Sequence, residues 1–526
     1  MESEQSTLVE TFWRANPSYW IAISNQAKAD KEIYEKFHEY DWRKETDLGK
    51  VIYLDQFMRH FSRIDKDITE KYMIACRNLA CVIAKSLDLS VYSEDDLVWL
   101  LMPFKHMKNY SFIFHSINKV LDSGKKLSDF PLLSKFFNDT YRKAYTYEKI
   151  CEGIKLVDTT KFTYDSKLIC DYYPESYQTD DFILNDIDDL NGLMNLVKKY
   201  VKHECTVSLS GGVDSMVLCA LLKLCKIKFN AIHIVYGNRK ESEDELAFIS
   251  HYCYKLSIPL YTYRIEHLKR GIMDREFYED MTRSIRFSCY RGLTYAEVNH
   301  TLVEMGKPFD NKYLNRDILL GHIQEDVVEN IWTNFAKGQH LDNLGKMEIT
   351  MIENGVTIIR PFLEASKSDI YKASELLGIP YLKNTTPSWS NRGKFREKFY
   401  KATHEQYGES VDKKVIEVAE RLSSQANLIN KLLYEPIYKS WNPETKSIDI
   451  TSACKAEIDA ESWSQILTHI SHNFLSISKP TIHACTNFTS RINKLVGNVG
   501  MYKYDFKKDM KATILVGDKD IMMLFN

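Results

Sequence analysis

The chain lacks several things that would narrow its chemistry at once. None of its 11 cysteines forms a C-x-x-C pair, and the nearest two are Cys76 and Cys81. That argues against a dithiol redox centre, a zinc ribbon or a cysteine-ligated cluster. No run of about 18 apolar residues occurs, so no membrane span is expected. The N-terminus, MESEQSTLVETFW, begins acidic and has no apolar core of the signal-peptide kind. The cysteines are therefore read as reduced thiols in a cytosolic, cytoplasmic protein. An excess of charge is missing too: 70 basic residues face 72 acidic ones, for a net charge of −2. Any nucleic-acid site must then be a local basic patch and not a field of the whole molecule. There is no internal repeat and no low-complexity tract.

What is present fits a large globular protein. The 526 residues are 44% apolar and 27% charged, enough for about three domains. Residues 1–150 read as all-helical. In KVIYLDQFMRHFSRI, Val51, Leu54, Phe57, Met58 and Phe61 share one stripe. Asp55, Arg59 and Arg63 share another at i, i+4 spacing, which reads as a solvated face. Residues 151–187 are acidic and polar and read as a connector. From 188 to 400, strand and helix patterns alternate: CTVSLS, FNAIHIVYG, IPLYTYRI, DILLGH and VTIIRPFL are strand-like, with helical runs between them. Such alternation predicts an α/β fold, a doubly wound, mostly parallel sheet. Ligands bind such sheets beyond the C-terminal strand ends. Residues 401–526 read as a helical and α+β region, with a long helix at about 412–434 and a closing hairpin, ATILVGDKDIMMLFN.

The stretch that demands explanation is SLSGGVDSMVL, residues 208–218. It joins a buried strand to a helix, so backbone N–H groups and the positive helix end converge on one point, as an anion requires. Gly211 and Gly212 permit close backbone approach. Ser210 and Ser215 offer hydroxyls to phosphate oxygens. Asp214 is an odd neighbour for phosphate, and a bridging Mg²⁺ would reconcile the two anions. The pattern has no lysine, so it is not G-x-x-x-x-G-K-[ST], nor is it G-x-G-x-x-G.

S-G-G-V-D-S, Ser210, Gly211, Gly212, Val213, Asp214 and Ser215, resembles the pyrophosphate loop of the ATP pyrophosphatases that cleave ATP to AMP and PPi. Four further segments resemble the tRNA(Ile)-lysidine synthetases within that group. They are AIHIVYGNRKESEDE (231–245), EDMTRSIRF (279–287), GHIQEDVVENIWTNFAKG (321–338) and IIRPFL (358–363); RGKFR (392–396) adds a fifth. Three positions depart from the family's pattern: Glu325 replaces an aspartate, Tyr236 stands where histidine is usual, and Gly393 replaces an asparagine. The resemblance implies a ligase that uses ATP and Mg²⁺. A base carbonyl of tRNA would be adenylated with loss of PPi, and a small amine, lysine in the family, would then displace AMP. A tRNA thiolase and a non-catalytic nucleotide-binding scaffold are the alternatives, and homodimerisation is left open. Separately, FWRANPSYW (12–20), LDQFMRHFSR (54–63) and MPFKHMKNY (102–110) resemble a helical, tetratricopeptide-like domain of unknown function.

Within that frame, Asp214 is expected to hold Mg²⁺. His322, just past a strand end, is expected at the nucleotide or base, or else as an edge histidine. Glu325 and Asp326 open the next helix and would bind metal or accept the amine proton, unless they serve only as acidic helix starts. Glu329 follows one turn on. Arg283 and Arg286, at i, i+3, suit phosphate, and a salt-bridged face accounts for them equally. Arg392, Lys394 and Arg396 lie in RGKFREKFYK, where interleaved aromatics and cations suit tRNA; an ordinary amphipathic helix is the alternative.

Overall fold

Seven strands build one sheet, and their order places the glycine loop. They are β1 (Lys155–Leu156), β2 (Cys205–Ser208), β3 (Phe229–Val235), β4 (Leu260–Arg264), β5 (Asp317–Leu319), β6 (Thr350–Glu353) and β7 (Val356–Ile359). The order across the sheet is β1-β4-β3-β2-β5-β7-β6. The five central strands are parallel, and β1 and β6 pair antiparallel at the edges. This is the expected α/β class. Every residue of β3 is buried, which explains why it reads as an unbroken apolar run and not an alternating one. Strand β2 has β3 on one side and β5 on the other, so the chain reverses its winding there. The loop after β2 lies at that switch point, where open α/β sheets bind ligands.

The structure is a computed structural model. It describes residues 7–21, 26–121, 126–162, 188–237, 242–269, 273–304, 317–339, 341, 344–345, 347–382 and 391–525. Residues 163–187 of the expected connector and 238–241 of the segment after β3 lie outside these.

The chain divides into two compact units: Met1–Ile323 with Ile349–Thr386, and Gln324–Glu348 with Pro387–Asn526. This is not the division expected from sequence, with boundaries near 150, 188 and 400. In the first unit the N-terminal helices do not close on a core of their own. A single apolar cluster runs from Trp13, Phe57 and Phe104 through Tyr141 to Tyr263, Ile285 and Ile358. The Tyr141 and Tyr145 hydroxyls donate to the Glu266 carbonyl at 3.1 and 2.6 Å. Gly153 packs against the Tyr263 ring, where a Cβ would come within 2.7 Å. The expected connector itself supplies β1, which extends the sheet beside β4. The stripe Val51, Leu54, Phe57, Met58 and Phe61 is buried as expected. The partner stripe is solvated only at one end: Arg63 is exposed and Arg59 half-buried, but Asp55 is 0% exposed. Helix Asp47–Ile52 runs into a π-helical turn, Tyr53–Phe57, and all five residues of that turn are buried. The widened turn adds a residue to the inward arc, and a count at 3.6 residues per turn misses it.

The second unit contains helices Gln324–Ala336 and Val411–Ile429, which pack together. It ends in an antiparallel sheet of β8 (Ser447–Asp449), β9 (Gly500–Lys507), β10 (Met510–Val516) and β11 (Ile521–Phe525), in the order β8-β11-β10-β9. Alternate residues of β10, from Met510 to Val516, are buried, the period of a sheet with one covered face. The hairpin expected from 512–526 is the β10–β11 pair.

Candidate active site

The loop is shaped by close packing on three sides. Gly211 has φ +81°, a left-handed conformation that suits glycine. A Cβ there would also lie 2.4 Å from Leu382 Cδ1, and Leu382 N donates to the Gly211 carbonyl at 2.9 Å. Gly212 caps helix Val213–Leu224 without a side-chain hydrogen bond to the first turn, so no side chain competes there for a ligand. The third contact was not foreseen. Gly321, just after β5, lies so close that its Cβ would be 2.9 Å from Ser215 N and 3.0 Å from the Asp214 carbonyl carbon. Side chains with a Cβ would hold the two segments apart.

The two serines tie the loop. Ser210 Oγ and Ser215 Oγ are 3.1 Å apart, the Ser210 amide donates to Ser215 Oγ at 3.2 Å, and Ser215 Oγ donates to the Gly212 carbonyl at 3.0 Å. Ser210 is exposed and Ser215 is buried. Val213 is buried in the core beneath the loop.

Asp214 meets a lysine. Lys367 Nζ lies 2.7 Å from Oδ1 and 2.9 Å from Oδ2. The cation that the loop lacks in sequence is thus brought from the helix after β7. Lys367 is the first residue of helix Lys367–Leu376, directly after the N-cap Ser366. Acids favour that position and a lysine opposes the helix dipole, which is the one signal that could have found it.

His322 is half-buried. Arg360 Nε donates to its Nδ1 at 3.0 Å. A guanidinium cannot accept, so the ring proton is on Nε2. Arg360 is buried, and an arginine inside the apolar run IIRPFL was its visible sign. His233, in the middle of β3, donates from Nδ1 to the Leu209 carbonyl at 2.9 Å, and burial pushes its pKa down to about 4. It is a neutral strut under the loop.

The expected phosphate-binding arginines of helix Arg275–Glu304 have local partners. Arg283 pairs with Glu353 and lies over the Phe287 ring. Arg286 is half-buried; burial opposes its charge, but the Tyr236 and Tyr290 phenols more than offset this and hold its pKa above the ordinary value. Tyr236, one of the departures, thus sits against that guanidinium. Tyr290 is in turn 2.8 Å from Ser208 Oγ at the end of β2.

In the second unit the expected acids and expected RNA-binding cations come together. Arg396 reaches Asp326 Oδ1 at 2.8 Å and Glu329 Oε2 at 3.1 Å, and Arg392 Nε reaches Glu329 Oε1 at 2.7 Å. Asp326 and Glu329 are buried. Glu325 is half-buried and contributes to the raised pKa of Tyr400, which burial and the Asp412 hydrogen bond dominate. Lys394 is exposed, and Gly393 is buried beside it. The aromatics of RGKFREKFYK do not form a free stacking row: Phe399 packs edge-on to Trp332 at 4.9 Å, and Tyr400 stands 4.2 Å from the His404 ring.

No group of three or more potential metal-ligating side chains occurs among the described residues. Mg²⁺ bound with a nucleotide needs only one or two carboxylates beside phosphate and water oxygens, so Asp214 fits the ion as one ligand.

The family model for the PP-loop domain matches residues 188–399. A tRNA(Ile)-lysidine synthase from Chlamydia muridarum is 28% identical over 221 residues, 42% of this chain and 63% of that protein. Its counterpart from Chlamydia pneumoniae is 24% identical over 233 residues, 44% of this chain and 67% of that one. This chain therefore spans about two thirds of the length of these relatives. The solved U34-tRNA thiolase NcsA from Methanococcus maripaludis overlays 45% of this chain and 80% of its own, at 19% identity and a TM-score of 0.33, too loosely to carry an argument. Residues 188–399 thus match the PP-loop domain, and this part of the chain is similar to the tRNA(Ile)-lysidine synthases.

Proposed function

We propose that the protein is an ATP-dependent tRNA-modifying ligase. Its substrates are ATP, a tRNA and a small amine. A base carbonyl oxygen attacks the α-phosphorus of ATP and PPi leaves; the amine then attacks the activated base carbon and AMP leaves. The reading is carried by the uncapped helix start at Gly212 with the Asp214–Lys367 pair beside it. Charge on phosphate grows as PPi departs, so fixed N–H groups and a mobile cation stabilise that stage most. Mg²⁺, when bound, supplies further charge neutralisation, and Asp214 would hold it. Lys367 then exchanges a carboxylate partner for a phosphate one. His322, protonated on Nε2, is a neutral donor toward the nucleotide or base.

The thiolase alternative needs accessible thiolates. Burial raises the Cys219 and Cys289 pKa values far above the ordinary thiol range and pushes Cys253 up to about 12, so these three are poor candidates for that role. The test is AMP and PPi release with and without tRNA, followed by mass spectrometry of the tRNA nucleosides. Release that depends on tRNA, with a nucleoside gaining the mass of an amine less water, supports the ligase. Release without tRNA, or a sulfur-sized mass gain, overturns it.

A further inference from the structure

The three N-terminal segments FWRANPSYW, LDQFMRHFSR and MPFKHMKNY take no part in the PP-loop chemistry, yet two of them meet around one buried carboxylate. Asp55, on the π-helical turn, is fully buried and accepts from His106 Nδ1 at 2.8 and 3.0 Å and from Gln56 Nε2 at 2.5 Å. Arg59 donates to the far side of the same ring, His106 Nε2, at 3.2 Å. Because the guanidinium must be the donor, His106 is held as the Nδ1–H tautomer, oriented by Asp55. Arg77 enters from helix Glu70–Lys85, with Nε 3.4 Å from Asp55 Oδ1. The first segment packs alongside: Trp13 is 5.7 Å from Phe57 and 6.2 Å from the His60 ring.

The cluster has more cation than it needs. Arg63 is satisfied nearby, with three contacts to Asp30 between 2.6 and 2.9 Å. Arg59 and Arg77 are different. A guanidinium carries five donors. Among the described residues Arg59 makes the one bond to His106, and Arg77 Nε is buried without a well-aligned acceptor. Two guanidiniums and an imidazole thus face one carboxylate. Burial, with repulsion from Arg63 and Arg77, holds the Arg59 pKa below its ordinary value despite Asp55. For stability alone, a single cation would pair Asp55 more cheaply, since each half-buried guanidinium loses hydration. The side chains of Arg77 and His106 remain 20% exposed, so the surplus charge reaches solvent.

We propose that Arg59 and Arg77, with His106 and Asp55 orienting the Arg59 guanidinium, form a second ligand site, separate from the PP-loop, that binds a terminal phosphate group. Two guanidiniums against one carboxylate leave one surplus positive charge, and a terminal phosphate offers several oxygens to the remaining donors of Arg59 and Arg77, which arrive from two helices. A planar carboxylate would satisfy one guanidinium only. The phosphate belongs either to a small molecule or to the 5′ end of an RNA, and the narrow exposure admits an end, not a strand.

The test uses the full chain at fixed ionic strength. Binding of orthophosphate and of AMP is measured by calorimetry for wild type, Arg59→Gln, Arg77→Gln, Arg77→Lys and Gly211→Val; the last obstructs the PP-loop. Wild type and Gly211→Val should bind orthophosphate alike. Arg59→Gln and Arg77→Gln should lose at least about tenfold, and Arg77→Lys about three- to tenfold, because an ammonium keeps the charge but not the fork. ATP-dependent PPi release should be unchanged in the arginine variants. A 5′-phosphorylated RNA oligonucleotide bound more tightly than its 5′-hydroxyl form, with the difference lost in Arg77→Gln, assigns the site to RNA ends; equal binding of both forms, with orthophosphate and AMP still held, assigns it to small phosphates. No orthophosphate binding in wild type, loss in Gly211→Val alone, or undiminished affinity in folded Arg77→Lys and Arg77→Gln overturns the proposal.

Discussion

Lys367 and Asp214 are 153 positions apart in sequence, and their side chains meet at 2.7 Å. The lysine comes from the start of one helix and the aspartate from the first turn of another. Both side chains are about a quarter exposed, so the pair itself contributes only about 0–1 kcal/mol to folding.

A small stabilising role can therefore be separated from the catalytic one proposed above. Lys367→Met should lower tRNA-dependent PPi release by about 10²-fold, the scale for removing one donor from a developing oxyanion. Asp214→Ala should abolish it. Thermal melts of both should stay close to wild type. A Lys367→Met enzyme with full turnover would remove the lysine from the mechanism.

Two glycines should respond with opposite sign. Gly321→Ala forces a methyl against the backbone of residues 214 and 215, at about 1–3 kcal/mol, and should raise the KM for ATP. Gly192 lies inside helix Asn191–Tyr200 with nothing within 4 Å of an added Cβ. Gly192→Ala should stabilise by about 0.5–1 kcal/mol and leave KM alone. Denaturant midpoints and ATP titrations of the pair check this.

The acid–arginine cluster revises what sequence suggests about RNA affinity. Arg392 and Arg396 already neutralise buried Asp326 and Glu329. Arg396→Ala should destabilise by about 1–3 kcal/mol, because two buried carboxylates lose a donor. Lys394 is exposed. Lys394→Gln should therefore flatten the log–log salt slope of tRNA binding by about 0.7–0.9, one phosphate's worth, and Arg396→Gln by less. Binding isotherms at four salt concentrations decide the order.

His233 predicts an acid-side loss of stability. Its folded pKa is lowered to about 4 by burial, against about 6.5 for an unfolded histidine. Above the unfolded value both states are neutral and there is no penalty. As pH falls from about 6.5 through 4, the unfolded state takes up the proton first, and roughly 2–3 kcal/mol is lost. His233→Gln should lack that component. Urea midpoints of the two proteins measured between pH 4 and pH 8 should diverge only below about 6.5.

The loop was legible because its signal is local. Glycine at φ +81°, two serines and an acid between a strand and a helix lie within six residues. The parallel sheet was legible for the same reason, since buried strands leave unbroken apolar runs. Asp55 was misread because its burial depends on a π-turn, and periodicity assumes a regular helix. The boundary near 150 was misread because composition marks where a chain turns polar, not where a core ends. Tyr141 and Tyr263 share one core from opposite sides of that polar stretch.

By itself, then, the sequence determined the α/β class and the position of the glycine loop between a strand and a helix, both properties of neighbours along the chain. Only the tertiary structure decided which charges meet. Lys367 reaches Asp214, Arg360 sets the His322 tautomer, Arg396 locks Asp326, and His106 joins Asp55. Each pairing spans between 38 and 153 residues. A charged side chain in a sequence shows only that it needs a partner or solvent. Which of the two it finds is settled by the strand order and helix packing that bring distant residues within a few ångströms.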